Sequence, residues 1–235
     1  TFNASTNARA KYDDNFYAMG TALKFTQNTV SLDNKKILCI GDSFTARGWY
    51  QARLASYNGT IEFLGTRQSQ YNTIMGEGYS GCRANQVLVT PTITPYGQQA
   101  VTNPFYDPIL ERCTLEYYCR TQNVSPDYVV LAFGLNEENM PNYYNAMQNF
   151  IDTCISYDPD IKVYVMQMPL MVTEIGSLVN STAAQMRAQR LCWQAAQHMT
   201  NATPIPCRFI MVDDLDYTLT DTTYPYGGKT VSVAS

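Results

Sequence analysis

Apolar runs of strand length alternate with stretches of helical spacing along most of this chain. Ile37-Leu38-Cys39-Ile40 is a continuous apolar run that stops at Gly41-Asp42-Ser43, the pattern of a buried strand closed by a sharp polar turn. Phe44 to Tyr57 reads as a helix ended by Asn58-Gly59, and Thr60 to Gly65 as a second strand, so the chain opens with a βαβ unit. Residues 66 to 82 are expected to form a Gly-rich loop, Gly76-Glu77-Gly78-Tyr79-Ser80-Gly81, leading into a helix. From Thr90 to Pro108 prolines recur and apolar periodicity fails, which predicts an irregular excursion over one face, followed by a short helix over Leu110 to Arg120. Asp127 to Gly134 is the clearest strand, a continuous apolar run suited to the centre of a parallel sheet. A helix from about Pro141 carries Tyr143, Met147, Phe150, Ile151 and Cys154 at helical spacing. The strand Ile161 to Met168, a helix from about Ser181 to Met199 and a last strand Arg208 to Val212 complete the pattern. Strands and helices alternating in this way predict an α/β fold whose parallel sheet is covered on both faces.

Residues 1–34 are polar and weakly patterned, apart from a short helix expected near Tyr12 to Ala22, and read as a lead-in or linker; the domain is expected to occupy 35–235. With 45% apolar residues, 235 positions suffice for one core without metals or staples. A formal charge of -4 with no basic run argues against nucleic acid as a partner and offers no polybasic membrane patch. No apolar run approaches the roughly 20 residues that span a bilayer, and the N-terminus is polar rather than a signal peptide. Both ends look cut, so the chain is expected to be part of a larger polypeptide or assembly. Seven cysteines lack zinc-type pairing, and mostly reduced thiols are expected; Cys39, Cys154 and Cys192 fall on apolar faces, while Cys113 and Cys119 flank a helix closely enough to approach each other. Five Asn-x-Ser/Thr sequons carry no weight in a chain this rich in Asn, Ser and Thr.

The candidate chemistry lies in three turns, at Ser43, Gly81 and Asn136. Asp or Ser before a helix is first of all an N-cap. Together, however, a serine hydroxyl, a glycine N–H and an asparagine amide are the parts that acyl transfer needs, a nucleophile and donors for the oxyanion.

Gly41-Asp42-Ser43, Glu77-Gly78-Tyr79-Ser80-Gly81 and Gly134-Leu135-Asn136-Glu137 resemble, in order and spacing, the first three blocks of the SGNH hydrolase superfamily, the GDSL-type esterases and lipases. Asn103 to Pro108 and the strand entry Pro126-Asp127-Tyr128 are similar to members from gut bacteria and their phages. The resemblance covers about residues 35 to 215. It implies a flavodoxin-like three-layer α/β/α sandwich with a central parallel sheet of about five strands. It also implies Ser43 as nucleophile, with the Ser43 and Gly81 N–H groups and the Asn136 side chain as oxyanion hole. Asp42, Tyr79 and Glu137 are expected to contact substrate. The implied activity is hydrolysis of small acyl esters, most of all O-deacetylation of an acylated carbohydrate, without metal or cofactor, by a soluble protein in a secreted or virion-associated setting. A catalytically inactive domain serving carbohydrate binding or structure in a larger, phage-virion assembly is the alternative.

Two departures stand out. Glu137 occupies the place of an Asp in the third block. The fourth block, Asp-x-x-His, is missing: Asp213, Asp214, Asp216 and Asp221 have no histidine three positions later. The single histidine, His198, precedes the last predicted strand and reads as structural. The base is therefore expected beyond Ser235 or on a neighbouring chain. Glu77 reads as a structural part of its loop. Tyr79 and Tyr106 read as core or sugar-facing aromatics, and Trp49 as core.

Overall fold

A computed structural model describes residues 32–57, 59–137, 140–167 and 191–205, together with the backbone of 223–226 and 229–232. The chain divides into two compact units, residues 32–208 and residues 1–31 with 209–235. In the second unit, strands Thr223–Tyr226 and Lys229–Ser232 form an antiparallel pair. The helix expected at 12–22 and the strand expected at 208–212 lie outside the described residues, as does the start of the helix expected from Ser181.

In chain order the described strands are β1 (Lys36–Gly41), β2 (Glu62–Leu64), β3 (Arg67–Gln68), β4 (Met75–Gly78), β5 (Thr92–Ile93), β6 (Val101–Thr102), β7 (Tyr106–Asp107), β8 (Arg112–Cys113), β9 (Tyr128–Ala132), β10 (Lys162–Met166), β11 (Thr203–Ile205), β12 (Thr223–Tyr226) and β13 (Lys229–Ser232). The helices are α1 (Ser43–Arg47), α2 (Trp49–Tyr57), α3 (Ala84–Leu88), α4 (Leu115–Gln122) and α5 (Met140–Tyr157), with a further helical segment at 191–196.

Strands β11, β10, β9, β1, β4 and β3 lie side by side in one sheet, and β2 joins β1 alongside β4. Five of its parallel members run in the spatial order β2-β1-β9-β10-β11, which is the flavodoxin-like order, and β4 also runs parallel to β1, beyond β2. The chain therefore winds one way from β1 to β2 and the other way from β9 onward. Right-handed crossovers then place α1 and α2 on one face and α5 on the other, giving the three layers. Strand β1 is the hub: Ile37, Leu38, Cys39 and Ile40 are all buried, as the unbroken apolar run requires of a strand covered on both faces. Leu38, Val129 and Leu131 form its core with Met147, Phe150 and Ile151 of α5. Asp127 locks the entry of β1, accepting from the Lys36 N–H at 2.8 Å and from Lys35 Nζ at 2.9 Å.

Four expectations change. The helix after Ser43 is two helices, because Gly48 leaves the helical region at φ 75 and caps α1, its N–H donating to the Phe44 and Thr45 carbonyls. The Gly-rich loop of 66 to 82 contains an antiparallel pair, β3 and β4, and the pairing of β4 with β1 and β3 overrides the poor strand propensity of Gly76 and Gly78. The irregular excursion of 90 to 108 is built on two short antiparallel ribbons, β5 with β6 and β7 with β8. Helix α4 starts at Leu115 rather than Leu110, because Thr114 caps it by accepting from the Tyr117 N–H at 3.1 Å. The edge strand β11 has no counterpart in the pattern; at three residues with Pro204 in its middle it has the form an edge permits. All six cysteines among the described residues are free and buried, Cys113 and Cys119 included.

Candidate active site

The sheet's direction of winding reverses at β1 and β9, so their carboxyl ends bound the crevice in which open α/β sheets hold ligands. Three loops meet there. The first follows β1: Asp42 is the N-cap of α1, its Oδ1 accepting from the Phe44 N–H at 3.0 Å, and the half-buried Ser43 is the first helical residue. The second follows β4 and is fastened to the first, with the Tyr79 N–H donating to the Gly41 carbonyl at 2.9 Å. It carries Gly81, exposed and at φ 73, a conformation that disfavours any side chain. The third follows β9 and carries Asn136, whose Nδ2 donates to the Cys82 carbonyl at 3.1 Å. Arg83 Nε donates to the Asn136 carbonyl at 3.1 Å, and Glu137 Oε1 accepts from the Ala84 N–H at 2.7 Å. Sequence-distant Gly81 and Asn136 are thus held on two loops stitched together by three hydrogen bonds.

Burial sorts the remaining expected site residues. Asp42, Tyr79 and Glu137, expected to contact substrate, are all buried in this structure. Tyr79 donates its phenol to Glu77 Oε2 at 2.7 Å, with the Arg67 guanidinium 4.9 Å from its ring centroid. Glu137 holds the start of α3. In this structure each supports a loop from behind. Asp42 Oδ2 has no partner among the described residues. Burial pushes the Asp42 carboxyl up to about 7, and the Glu137 charge adds to the rise, against the Phe44 N–H and weaker contributions from the Leu135 N–H and the Arg47 charge, which favour ionisation.

Glu77 is structural: Oε1 accepts from the Thr66 N–H at 2.6 Å and from the Tyr118 hydroxyl at 2.9 Å, beside the Tyr79 bond. Burial first, and the Glu77 carboxylate second, hold both phenols well above the usual tyrosine range. Trp49 is 49% exposed, contrary to its expected place in the core. Its ring stacks on Tyr71 at 5.9 Å, meets Phe44 edge-on and lies 4.9 Å from the Arg47 guanidinium, partners no periodicity reveals. Tyr106 is half-buried in β7.

The three loops offer a half-buried hydroxyl, an exposed glycine N–H and an amide with one N–H beyond that given to Cys82, a set suited to attack on a carbonyl and stabilisation of its oxyanion. No described residue hydrogen-bonds the Ser43 hydroxyl. His198 is exposed in the turn before β11; its N–H donates to the Ala195 carbonyl and its own carbonyl accepts from the Tyr144 hydroxyl, neither of them part of the three loops. Two residues missed in the sequence belong to this neighbourhood, Arg83 and Tyr96. Arg83 lies two residues after the second block, whereas Tyr96 gave no local signal beyond its Pro-Tyr-Gly turn.

Solved structures to which the chain is similar include carbohydrate esterases. A family 3 carbohydrate esterase from Talaromyces cellulolyticus is 18% identical at a TM-score of 0.44, over 73% of this chain and 78% of that one. The Clostridium thermocellum family 3 carbohydrate esterase is 16% identical at 0.42, over 83% and 85%. A family 2 carbohydrate esterase with a carbohydrate-binding domain, from Corynascus thermopiles, is 15% identical at 0.45, over 76% and 58%. No protein-family model matches the sequence, and no curated protein does. No described helix is long and apolar enough to cross a membrane.

Proposed function

We propose that this chain carries the nucleophile and oxyanion hole of a serine esterase that removes small acyl groups, above all acetyl, from carbohydrates. The observation that supports it is the convergence of Ser43, Gly81 and Asn136 on three mutually bonded loops at the point where the sheet reverses its winding. The Ser43 hydroxyl attacks the ester carbonyl, and the oxyanion is met by the Ser43 and Gly81 N–H groups and the Asn136 amide. Collapse expels the sugar alcohol and leaves an acyl-serine, which water hydrolyses to the carboxylic acid and free serine. Each half needs a base for the attacking oxygen and an acid for the leaving one. His198 is placed away from this work, so the reading assigns the base to a histidine outside these 235 residues, on the same polypeptide or a partner.

A second reading follows from the same histidine. With no base at Ser43, the domain would keep the fold for carbohydrate binding or for structure in a larger assembly such as a virion. Fluorophosphonate labelling of the parent polypeptide, alone and as Ser43→Ala, separates the two. Labelling lost in Ser43→Ala, with acetate released from acetylated oligosaccharides only by the unsubstituted protein, supports the esterase. Absence of both in the parent protein supports the second reading.

A further inference from the structure

The residues placed so far act on the carbonyl and leave the alcohol half of the ester unheld. Tyr96 adjoins Gly81, the glycine of the second loop. It occupies the turn between β5 and β6, closed by the Gln98 N–H donating to the Pro95 carbonyl at 3.1 Å. Its backbone N–H donates to the Ser80 carbonyl at 2.7 Å, and a Cβ added to Gly81 would lie 2.6 Å from the Tyr96 Cβ. The root of the ring therefore presses on the glycine whose N–H belongs to the oxyanion hole, yet the residue is 85% exposed.

Elsewhere exposed aromatics cover one another, as Trp49 and Tyr71 do. Among the described residues no ring or cation covers Tyr96. Its mounting is firm: Arg67 donates from Nη2 to Gln98 Oε1 at 2.9 Å and from Nε to the Gly78 carbonyl at 3.1 Å, tying the turn to the second loop. A bare π face on a fixed support is suited to a ligand that brings its own apolar face. The exposed side chains around it, Thr94, Gln98 and Gln99, are a hydroxyl and two amides. Those groups hydrogen-bond a polyhydroxylated ring, whereas an acyl chain would need continuous aliphatic surface, and none adjoins Tyr96 in this turn.

We propose that Tyr96 is the residue on which the ester-bearing pyranose stacks, and that it sets the preference for sugar esters over simple ones. This rests on the esterase reading for its substrate, and its own test is separable from it. In the parent polypeptide, the ratio of kcat/KM on acetylated xylo-oligosaccharide to that on p-nitrophenyl acetate is expected to fall about tenfold in Tyr96→Ala, chiefly through KM. Tyr96→Phe and Tyr96→Trp should restore it, because the stacking face survives. Calorimetric titration with unacetylated xylohexaose, in the Ser43→Ala protein with and without Tyr96→Ala, reads the same contact without turnover; binding is expected to weaken about tenfold. A ratio and a dissociation constant that both stay put in Tyr96→Ala overturn the proposal, as does undetectable xylohexaose binding by Ser43→Ala. Failure of the esterase reading appears separately, as absence of Ser43 labelling, and leaves the titration to decide on Tyr96.

Discussion

Asp42 does two jobs that conflict, capping α1 through Oδ1 while lying fully buried with Oδ2 unpartnered. Its carboxyl titrates near 7 in the folded chain against 3.8 when unperturbed. Below the unfolded value the acid is neutral in both states and burial is harmless. As pH rises from about 4 to about 7 the unfolded chain loses its proton first, so the folded state holds more protons and stability falls; above about 7 the penalty is constant. At about 1.4 kcal/mol per unit the full penalty is on the order of 4 kcal/mol. Asp42→Asn keeps an acceptor for the Phe44 N–H and removes the charge. Urea titrations should therefore show the variant gaining on the unsubstituted protein between about pH 4 and about pH 7 and holding that gain above it; a gain that does not vary with pH would contradict the assignment. At Gly81, alanine meets both a φ of 73 and the Tyr96 Cβ, so under the proposed esterase reading Gly81→Ala, which displaces the backbone N–H, should lower hydrolysis of an acetylated substrate by about a hundredfold, the effect of a lost oxyanion donor. These site residues were legible because each lies within its own short block. Tyr96 was not, since its approach to Gly81 exists only once the β5–β6 turn folds back onto Ser80.

Helix α1 and strand β4 show where local propensity stops deciding. Gly48 sits between two stretches of acceptable helix formers, and the periodicity runs straight through it. What breaks the helix is the packing of residues 69–72 against Gly48, where a Cβ would come within 2.6 Å of the Ser69 side chain. Gly48→Ala should cost about 1–2 kcal/mol from the left-handed backbone alone, with the contact adding to it, measured as a drop in urea midpoint. Strand β4 is held by partners rather than by composition. Glu77 gathers the Thr66 N–H and the hydroxyls of Tyr79 and Tyr118, joining β4 to the turn before β3 and to α4. Glu77→Ala would strand all three donors in the interior, a loss of about 3 kcal/mol or more. Tyr118→Phe removes one bond and its donor together and should cost about 1 kcal/mol. Equal losses in the two variants would speak against the shared carboxylate.

For the molecule as a whole, the alternation of patterns was enough to read an α/β fold, because β1 is buried from Ile37 onward and β9 at Val129, Leu131 and Ala132, so both carry unbroken apolar runs. The edge was not legible: β11 is short, polar at Thr203 and interrupted by Pro204, and only its pairing with β10 makes it a strand. Stability should follow the same gradient. Leu131, fully buried at the centre, should lose about 2–5 kcal/mol on replacement by alanine. Amide hydrogen exchange should be slowest at Leu38–Ile40 and Val129–Leu131 and fastest, within the parallel strands, at Thr203 and Ile205. The place of β1 at the hub has a temporal consequence as well. Its first residue is bonded to Asp127, 91 positions later, and a ribosome adding about 5–20 residues per second needs on the order of 5–20 s to cover that distance. Throughout that interval the most hydrophobic strand of the sheet has emerged with its β9 edge unfilled. The nascent chain is thus a client for chaperones until β9 arrives, and the strand that leads into Ser43 is among the first to be made yet waits for β9 to fill its second edge.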